Sequence, residues 1–403
     1  MIFGLPFHTA RFFRPTLLEV FSLTNTQLGD LFAVYGVAAM ASYFPGGALA
    51  DRFSARGLLT ASLVATGIGG LYMATIPGAT RLALLYGFWG VTSIFLFWGA
   101  LIRATREWGG ETSQGAAFGI LEAGRGLVAA VIAVSLVAVL AGNLPEDASL
   151  ATDAERRAGM RAIILGYSAT VFAAAAFVWF VIPAADAVAT AKRNPFANLA
   201  LVIRRPVIWA QAAIIVCAYC CYKSLDYYSL YLVDVLGKDE VQGARLMSYG
   251  AYVRPVAALA AGVIADRFDA TRSIAVIFIV LAVVYALLSL FLPGDVGAFA
   301  IYANLFVSMF AVFALRGIYF ALLQETRTPR HITGAAVGMI SVLGFTPEIF
   351  FAPIAGRILD ATPGAGGYLD LFLFLAVIAA CGLGVVLWLL RLQRNILSDE
   401  AVS

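Results

Sequence analysis

The sequence is short of charge, and this shortage excludes most classes of protein. Only 13% of its 403 residues are charged, whereas 62% are hydrophobic and the mean hydropathy is +0.89. Soluble domains carry about 25% charged residues. So few charges cannot cover so much apolar surface, which excludes a cytosolic enzyme, a nucleic-acid binder and a disordered chain. The apolar residues form long runs rather than short alternating segments, so a β-barrel is excluded too, and an α-helical membrane protein remains.

Histidine and cysteine are also scarce, with two and four residues. His8 and His331 lie far apart in the sequence, and all four cysteines lie inside apolar runs. Cys217 and Cys220 form a C-x-x-C pair within a predicted membrane helix, where we interpret them as packing residues. We therefore expect neither a cofactor, nor a metal site, nor an enzymatic activity.

The apolar runs are long enough to cross a bilayer, which takes about 20 residues. The first run contains Arg11, Arg14 and Glu19 and has no polar segment before it. We expect this run to be a membrane span that lacks its first turns through N-terminal truncation. A re-entrant or surface helix is the alternative. The sequence predicts an all-α membrane protein with twelve spans, at 1–22, 27–50, 57–77, 80–104, 113–141, 161–184, 206–236, 242–265, 272–292, 296–323, 332–359 and 368–391.

Lysine and arginine are distributed unevenly over the loops. Alternate loops, including those with Arg52 and Arg103, carry about twice as many cations as the others and are predicted to be cytoplasmic. Both termini are then cytoplasmic, in a multi-pass protein of the inner (plasma) membrane. The long link 185–205 is predicted to separate an N-terminal bundle, 1–184, from a C-terminal bundle, 206–403. We expect a monomer in contact with the lipid bilayer.

The two halves of the sequence repeat each other. Gly47–Arg56 reads GALADRFSAR and Gly262–Arg272 reads GVIADRFDATR, with Asp51 and Asp266 separated by 215 positions. Later in each half, a GAAFG segment at 115–119 matches GAAVG at 334–338. A repeat in the same order over six spans predicts two pseudo-symmetric six-helix bundles, related by an axis along the membrane normal.

Twelve spans in six-plus-six order, with G-x-L-A-D-R after span 2 and G-x-I-A-D-R after span 8, resemble the major facilitator superfamily over essentially the whole chain. The resemblance implies alternating access of a central site to the two sides of the membrane. It also implies that the loop motif is a conformational latch, in which the glycine allows close helix approach. An alternative to the latch remains open, in which the charges of this loop only set the topology. The latch residues are Gly47, Asp51, Arg52, Arg56, Gly262, Asp266 and Arg267.

Within the superfamily, the segment 97–127 is similar to the branch of anion and organophosphate-like porters. Ser54 and Ala55 replace the usual glycine and first distal basic residue of the loop motif, so its basic cluster is thinned. These departures do not identify a substrate.

Ionisable residues inside the predicted spans carry the functional information, since each costs at least about 2.5–3.5 kcal/mol unless it faces a cavity or a partner. Cations exceed anions among them, which predicts a substrate bearing a carboxylate, sulfonate or phosphate ester, because the guanidinium fork binds these groups bidentately. They are Arg11, Arg14, Glu122, Arg125, Lys223, Asp226, Arg254, Arg316 and Glu348.

Each of these charges receives a predicted role or an open alternative. Arg254 has no carboxylate at helical spacing in its own span and is the leading substrate ligand, unless Asp226 or Glu348 pairs with it. Glu122–Arg125 and Lys223–Asp226 are alternatively internal ion pairs, because each pair is three residues apart. The predicted substrate ligands are Arg254, Arg125, Lys223, Arg11, Tyr222 and Tyr227; the predicted proton carriers or ion-pair partners are Asp226, Glu122 and Glu348; Arg316 is a predicted gate.

The sequence therefore predicts a secondary transporter that moves a small organic anion, coupled to protons or to exchange for a counter-anion. A neutral sugar/proton symporter, whose arginines only pair with carboxylates, is the main alternative. A transport-dead membrane sensor with the same fold is a second one.

Overall fold

The computed structural model describes residues 4, 6–50, 52–109, 114–183, 199–291, 294, 296–326 and 333–402, without the side chains of some helical residues, among them Glu122 and Asp266. The α-helices in this part of the chain are α1 Ala10–Val20, α2 Asn25–Ala50, α3 Ala55–Met73, α4 Ala79–Val91, α5 Gly99–Gly109, α6 Gln114–Asn143, α7 Asp153–Val181, α8 Leu199–Ile203, α9 Pro206–Lys223, α10 Tyr228–Asp234, α11 Glu240–Gly250, α12 Val253–Phe268, α13 Ala270–Leu290, α14 Ala298–Ile318, α15 Leu322–Glu325, α16 Thr333–Gly344, α17 Pro347–Ala361 and α18 Ala365–Val402.

These helices follow the twelve predicted spans, and the all-α membrane fold is confirmed. Span 4 comprises α4, a π-helical segment Thr92–Trp98 and α5. Spans 7, 8 and 11 each consist of two helices in succession, α9 with α10, α11 with α12, and α16 with α17. Within the described residues, eight helices are long and apolar enough to cross a membrane: Ala79–Gly109, Ala123–Asn143, Asp153–Val181, Pro206–Asp226, Ala270–Leu290, Ala298–Ile318, Ala336–Ala361 and Ala365–Arg394.

The chain forms two compact units whose borders cut through three of the spans. The first unit is Met1–Lys192 with Asp226–Tyr252 and Glu348–Asp360; the second is Arg193–Leu225, Val253–Pro347 and Ala361–Ser403. The first unit thus contains α10, α11 and most of α17 besides the helices of the first six spans. The division into an N-terminal bundle, 1–184, a cytoplasmic linker, 185–205, and a C-terminal bundle, 206–403, stays a prediction.

In the first unit, glycines bring helix backbones into direct contact. A Cβ added at Gly36 of α2 would lie 2.6 Å from the carbonyl oxygen of Glu348 on α17. Gly29 faces the carbonyl of Ala352 in the same way, and Gly356 faces that of Asn25. Backbone atoms cannot move aside as the end of a side chain can, so α2 and α17 touch along this line only because these positions lack a Cβ.

The close helix approach that the resemblance implied at Gly47 occurs instead at the preceding residue, Gly46. A Cβ at Gly46 would lie 2.9 Å from the carbonyl oxygen of Phe95 in the π-helical segment, whereas one at Gly47 would meet nothing within 4 Å. Gly262 likewise has nothing within 4 Å. The contact between α2 and span 4 therefore depends on the residue before the motif glycine.

The second unit is built around α13, which packs against α14 and α18, while α9 packs against α16 and α18. Glu325, at the end of α15, accepts hydrogen bonds from the backbone N–H groups of Ala270 and Thr271. The Thr271 hydroxyl also donates to Glu325 at 2.6 Å. A carboxylate at this place satisfies free N–H groups of α13 and complements the positive end of its dipole.

Candidate functional site

Two buried arginines lie on either side of a kink in α1. Pro15 has no N–H for the helical bond to the carbonyl of Arg11, and its ring would clash with that carbonyl in a straight helix. The backbone of Phe13 is accordingly non-helical, with φ −118° and ψ 31°. Arg11 and Arg14 are both buried, at 6% and 1% exposure. The kink therefore determines how the two guanidinium groups are presented.

Arg11 forms a buried ion pair with Asp226, which is 3% exposed. Its Nε donates to Asp226 Oδ1 at 2.6 Å. The two residues are 215 positions apart, which is the separation that relates the two sequence repeats. The pair thus joins equivalent positions of spans 1 and 7.

A break in span 7 precedes Asp226. The α-helix ends at Lys223 and a 3₁₀ turn, Ser224–Asp226, leads to α10. The carbonyl of Cys221, near the end of the helix, accepts hydrogen bonds from Ser224 Oγ at 2.7 Å and from the Tyr285 hydroxyl at 3.3 Å. These two hydroxyls satisfy a carbonyl at the end of α9, where the α-helix gives way to the 3₁₀ turn.

In the described part of the chain, the contacts of Arg14 are neutral groups. Its Nε donates to Asn25 Oδ1 at 3.0 Å, and its guanidinium carbon lies 4.1 Å above the centre of the Tyr227 ring. The Tyr227 hydroxyl donates to the carbonyl of Ala352 at 3.3 Å, which fixes that ring. Arg14 Nη2 is enclosed and has no hydrogen-bond partner among the described residues. A full positive charge is therefore buried here with an unused donor.

This cluster of Arg11, Arg14, Asp226 and Tyr227, which we call the α1 charge cluster, has an excess of positive charge. It contains two guanidinium groups and one carboxylate, and the carboxylate is bonded to Arg11. Removing an unpaired cation from water is costly, so such a group normally gains a counter-ion. The excess positive charge of the cluster favours the binding of one more negatively charged group.

A polar network also joins α1 to α7 and α11. Arg156 binds the carboxylate of Glu240 through Nε at 2.6 Å and that of Glu19 through Nη1 at 2.9 Å. The Thr16 hydroxyl donates to Glu240. Because Glu240 belongs to span 8, this arginine links spans 1, 6 and 8 on the side that the topology prediction places outside the cell.

In the second unit, aromatic rings surround another arginine. The guanidinium carbon of Arg316, on α14, lies 4.0 Å from the centre of the Tyr222 ring and 5.5 Å from that of Tyr219. Tyr219 in turn packs edge-on against Phe345, with centroids 5.2 Å apart. Lys223, the residue after Tyr222, is buried. Tyr222, predicted as a substrate ligand, thus contacts the predicted gate residue.

Comparison with known proteins identifies the family. A family model described as the Major Facilitator Superfamily matches residues 1–347. The chain belongs to the Major Facilitator Superfamily. It is 26% identical to the inner membrane protein YqcE of Escherichia coli K12 over 96% of this chain and 90% of that protein, and 26% identical to the inner membrane protein YihN of the same organism over 99% and 96%.

A solved structure shares the superfamily fold with this chain. It is a bacterial homologue of the human lysosomal transporter Spinster, in an inward-facing and unoccupied conformation. The TM-score is 0.73, with 13% sequence identity over 99% of this chain and 96% of that one. Membership of the superfamily makes this chain a membrane transporter.

The described residues include only part of the superfamily loop motif. Asp51 and the side chain of Asp266 lie outside the described residues. Arg52 and Arg267 are exposed, whereas the guanidinium carbon of Arg56 lies 4.6 Å above the centre of the Trp179 ring. The latch function of this motif therefore stays a prediction.

The remaining predicted site residues lie on several helices. Arg125, on α6, has its guanidinium carbon 5.9 Å from the centre of the Trp98 ring. Arg254 is the second residue of α12 and Glu348 the second of α17, and both are partly buried. The side chain of Glu122 is not described. Their roles as ligands or proton carriers stay predictions.

Sequence reasoning missed three residues that the structure makes prominent. Arg14 is among the predicted charges in the membrane but has no predicted role, and Arg156 and Glu240 lie between the predicted spans. For Arg14 a signal existed, because no carboxylate lies within four positions of it on α1. Among the described residues, no group of three or more His, Cys, Asp or Glu is placed to hold a metal ion.

Proposed function

We propose that this chain is a secondary transporter of a small organic anion, with a carboxylate, sulfonate or phosphate ester group, by alternating access. The observation that carries the proposal is the excess positive charge of the α1 charge cluster. Arg14 is buried with Asn25 and the Tyr227 ring as its contacts, and the one carboxylate of the cluster is bonded to Arg11.

An anionic substrate supplies the negative charge that the α1 charge cluster lacks. Guanidinium groups bind carboxylate and phosphate oxygens through paired N–H donors, and such charge-assisted bonds are stronger than neutral ones. The unused Nη2 of Arg14 is one such donor. Arg254, Arg125 and Lys223 act as further ligands in this proposal, and Glu122 and Glu348 as candidate proton carriers.

Asp226 gives the proposal a coupling step. Without substrate, its carboxylate neutralises Arg11. In this proposal an anion that takes over Arg11 releases Asp226 from this bond, and Asp226 then carries the coupled proton. Proton-coupled transport is one form of the proposal, and exchange for a counter-anion is the other.

The Arg11–Asp226 pair also favours one alternative. In a neutral sugar/proton symporter, membrane arginines serve only to pair with carboxylates, as Arg11 does here. Arg14 does not fit that description, because it has no carboxylate partner among the described residues. The two functions therefore differ in the charge of the solute that stabilises the protein.

Thermal stabilisation of the purified protein tests the proposal. A panel of sulfonates, sugar acids, organophosphates and neutral sugars is added, and the apparent Tm is measured for each compound. A ligand that binds the folded state raises stability by mass action, by about 2.7 kcal/mol at a hundred times its Kd. We expect at least one anion to raise the Tm and its neutral analogue not to do so. Stabilisation by neutral sugars alone would refute the anion proposal.

A further inference from the structure

Arg56 lies where two helices end on the same side of the membrane. α3 and α7 pack antiparallel, as shown by Gly67 against the Phe172 ring and Gly70 against Ser168. The first turn of α3, which carries Arg56, therefore reaches the last turns of α7, which carry Trp179. The topology prediction places these ends at the cytoplasmic surface.

The guanidinium of Arg56 has one face against an aromatic ring and an enclosed donor that is not satisfied. Its carbon lies 4.6 Å above the centre of the Trp179 ring, and its Nε has no hydrogen-bond partner among the described residues. Stacking on an aromatic ring uses the face of the guanidinium plane and leaves its N–H groups, which point outward within that plane, available for an acceptor.

The surroundings of this pair are those of a lipid contact. Trp179 is 46% exposed, and its neighbours Phe177 and Phe180 are 66% and 84% exposed. Exposed aromatic residues at the end of a membrane helix are typical of the interface, where tryptophan lies at the level of the headgroups. At the level of the headgroups, the hydrogen-bond acceptor that can reach Arg56 is a lipid phosphate.

We propose that Arg56 and Trp179 form a binding site for the phosphate of an anionic phospholipid at the cytoplasmic surface. The phosphate oxygens accept hydrogen bonds from the edge of the Arg56 guanidinium, and the lipid chains cover the exposed rings of α7. This site is separate from the α1 charge cluster and does not depend on the transported solute.

Native mass spectrometry of the detergent-purified protein, titrated with phosphatidylglycerol, tests this site. We expect Arg56→Ala to weaken the tightest lipid binding about tenfold, since the variant loses a charge-assisted hydrogen bond to the phosphate. Arg56→Lys retains charge without the fork and should fall between Arg56→Ala and the unmodified protein. Arg52→Ala is the matched control, because Arg52 is an exposed arginine of the same loop, and it should leave the tightest binding unchanged.

Three outcomes would overturn the proposal. One is that Arg56→Ala and Arg56→Lys, both eluting as folded protein in size-exclusion chromatography, bind phosphatidylglycerol as tightly as the unmodified chain. Another is that phosphatidylcholine binds as tightly as phosphatidylglycerol, which would remove the requirement for an anionic lipid. The third is that free glycerol phosphate displaces the lipid at equal concentration, which would indicate a site for soluble phosphate.

Discussion

Arg11 and Arg14 lie one helical turn apart on α1, yet their surroundings differ. Arg11 has a carboxylate partner and Arg14 has an amide and a ring. Both residues are predicted charges inside the membrane, and the 215-residue separation of the repeats places Arg11 and Asp226 at equivalent positions. The sequence could not predict that they touch, because spacing along a helix reveals only neighbours within that helix, such as Lys223 for Asp226. Contacts between spans depend on packing and on the kink at Phe13.

Exchanging the charges of Arg11 and Asp226 tests whether they act as a pair. Arg11→Asp places two carboxylates together and Asp226→Arg two guanidinium groups, so each single variant should lose about 3–5 kcal/mol of stability, as for a broken buried pair. The double variant restores opposite charges and should recover most of the apparent Tm.

The control for this cycle is the exposed pair Arg357–Asp30, whose nitrogen and oxygen are 2.9 Å apart. Exposed pairs contribute about 0–1 kcal/mol, so exchanging these charges should change the Tm little, singly or together. A double variant of Arg11 and Asp226 that is as unstable as the worse single variant would show that the two residues are not coupled.

Helices that the sequence predicts as single spans are interrupted where the polar residues lie. In span 11 the proline Pro347 favours a kink, and in the structure α16 ends at Gly344 and α17 begins at Pro347. The interruption of span 7 at Ser224–Asp226 was not predicted, because that stretch contains neither proline nor glycine. It depends on hydroxyl groups from Ser224 and Tyr285, and Tyr285 comes from another helix.

Two alanine substitutions in α2 test the contact between helix backbones. Gly36→Ala places a methyl group against the carbonyl of Glu348, and we expect it to destabilise the protein by about 1–3 kcal/mol, as overpacking does. Gly47→Ala, in the same helix with open space around it, should leave the stability unchanged or raise it by up to about 1 kcal/mol. The apparent Tm in detergent measures both effects. Equal Tm values for the two variants would mean that α2 and α17 are not in backbone contact.

At the scale of the molecule, the scarcity of charge determines the class of protein, and its placement determines the proposed activity. The spans were predictable because twenty apolar residues in a row have one stable arrangement in lipid, a helix. The two compact units were not predictable from the sequence, because the first unit combines α10, α11 and most of α17 with the helices of the first six spans. Assigning a segment to a unit requires knowledge of contacts that sequence order does not contain.

The affinity of one anion for two variants tests the central claim, that excess positive charge in the α1 charge cluster binds the substrate. Using the anion that stabilises the protein most, the Kd is measured by isothermal titration calorimetry for Arg14→Gln and Asp226→Asn. Removing a positive charge should weaken binding about tenfold or more, and removing the competing carboxylate should strengthen it. Unchanged affinity in Arg14→Gln, or equal weakening in both variants, would contradict the account.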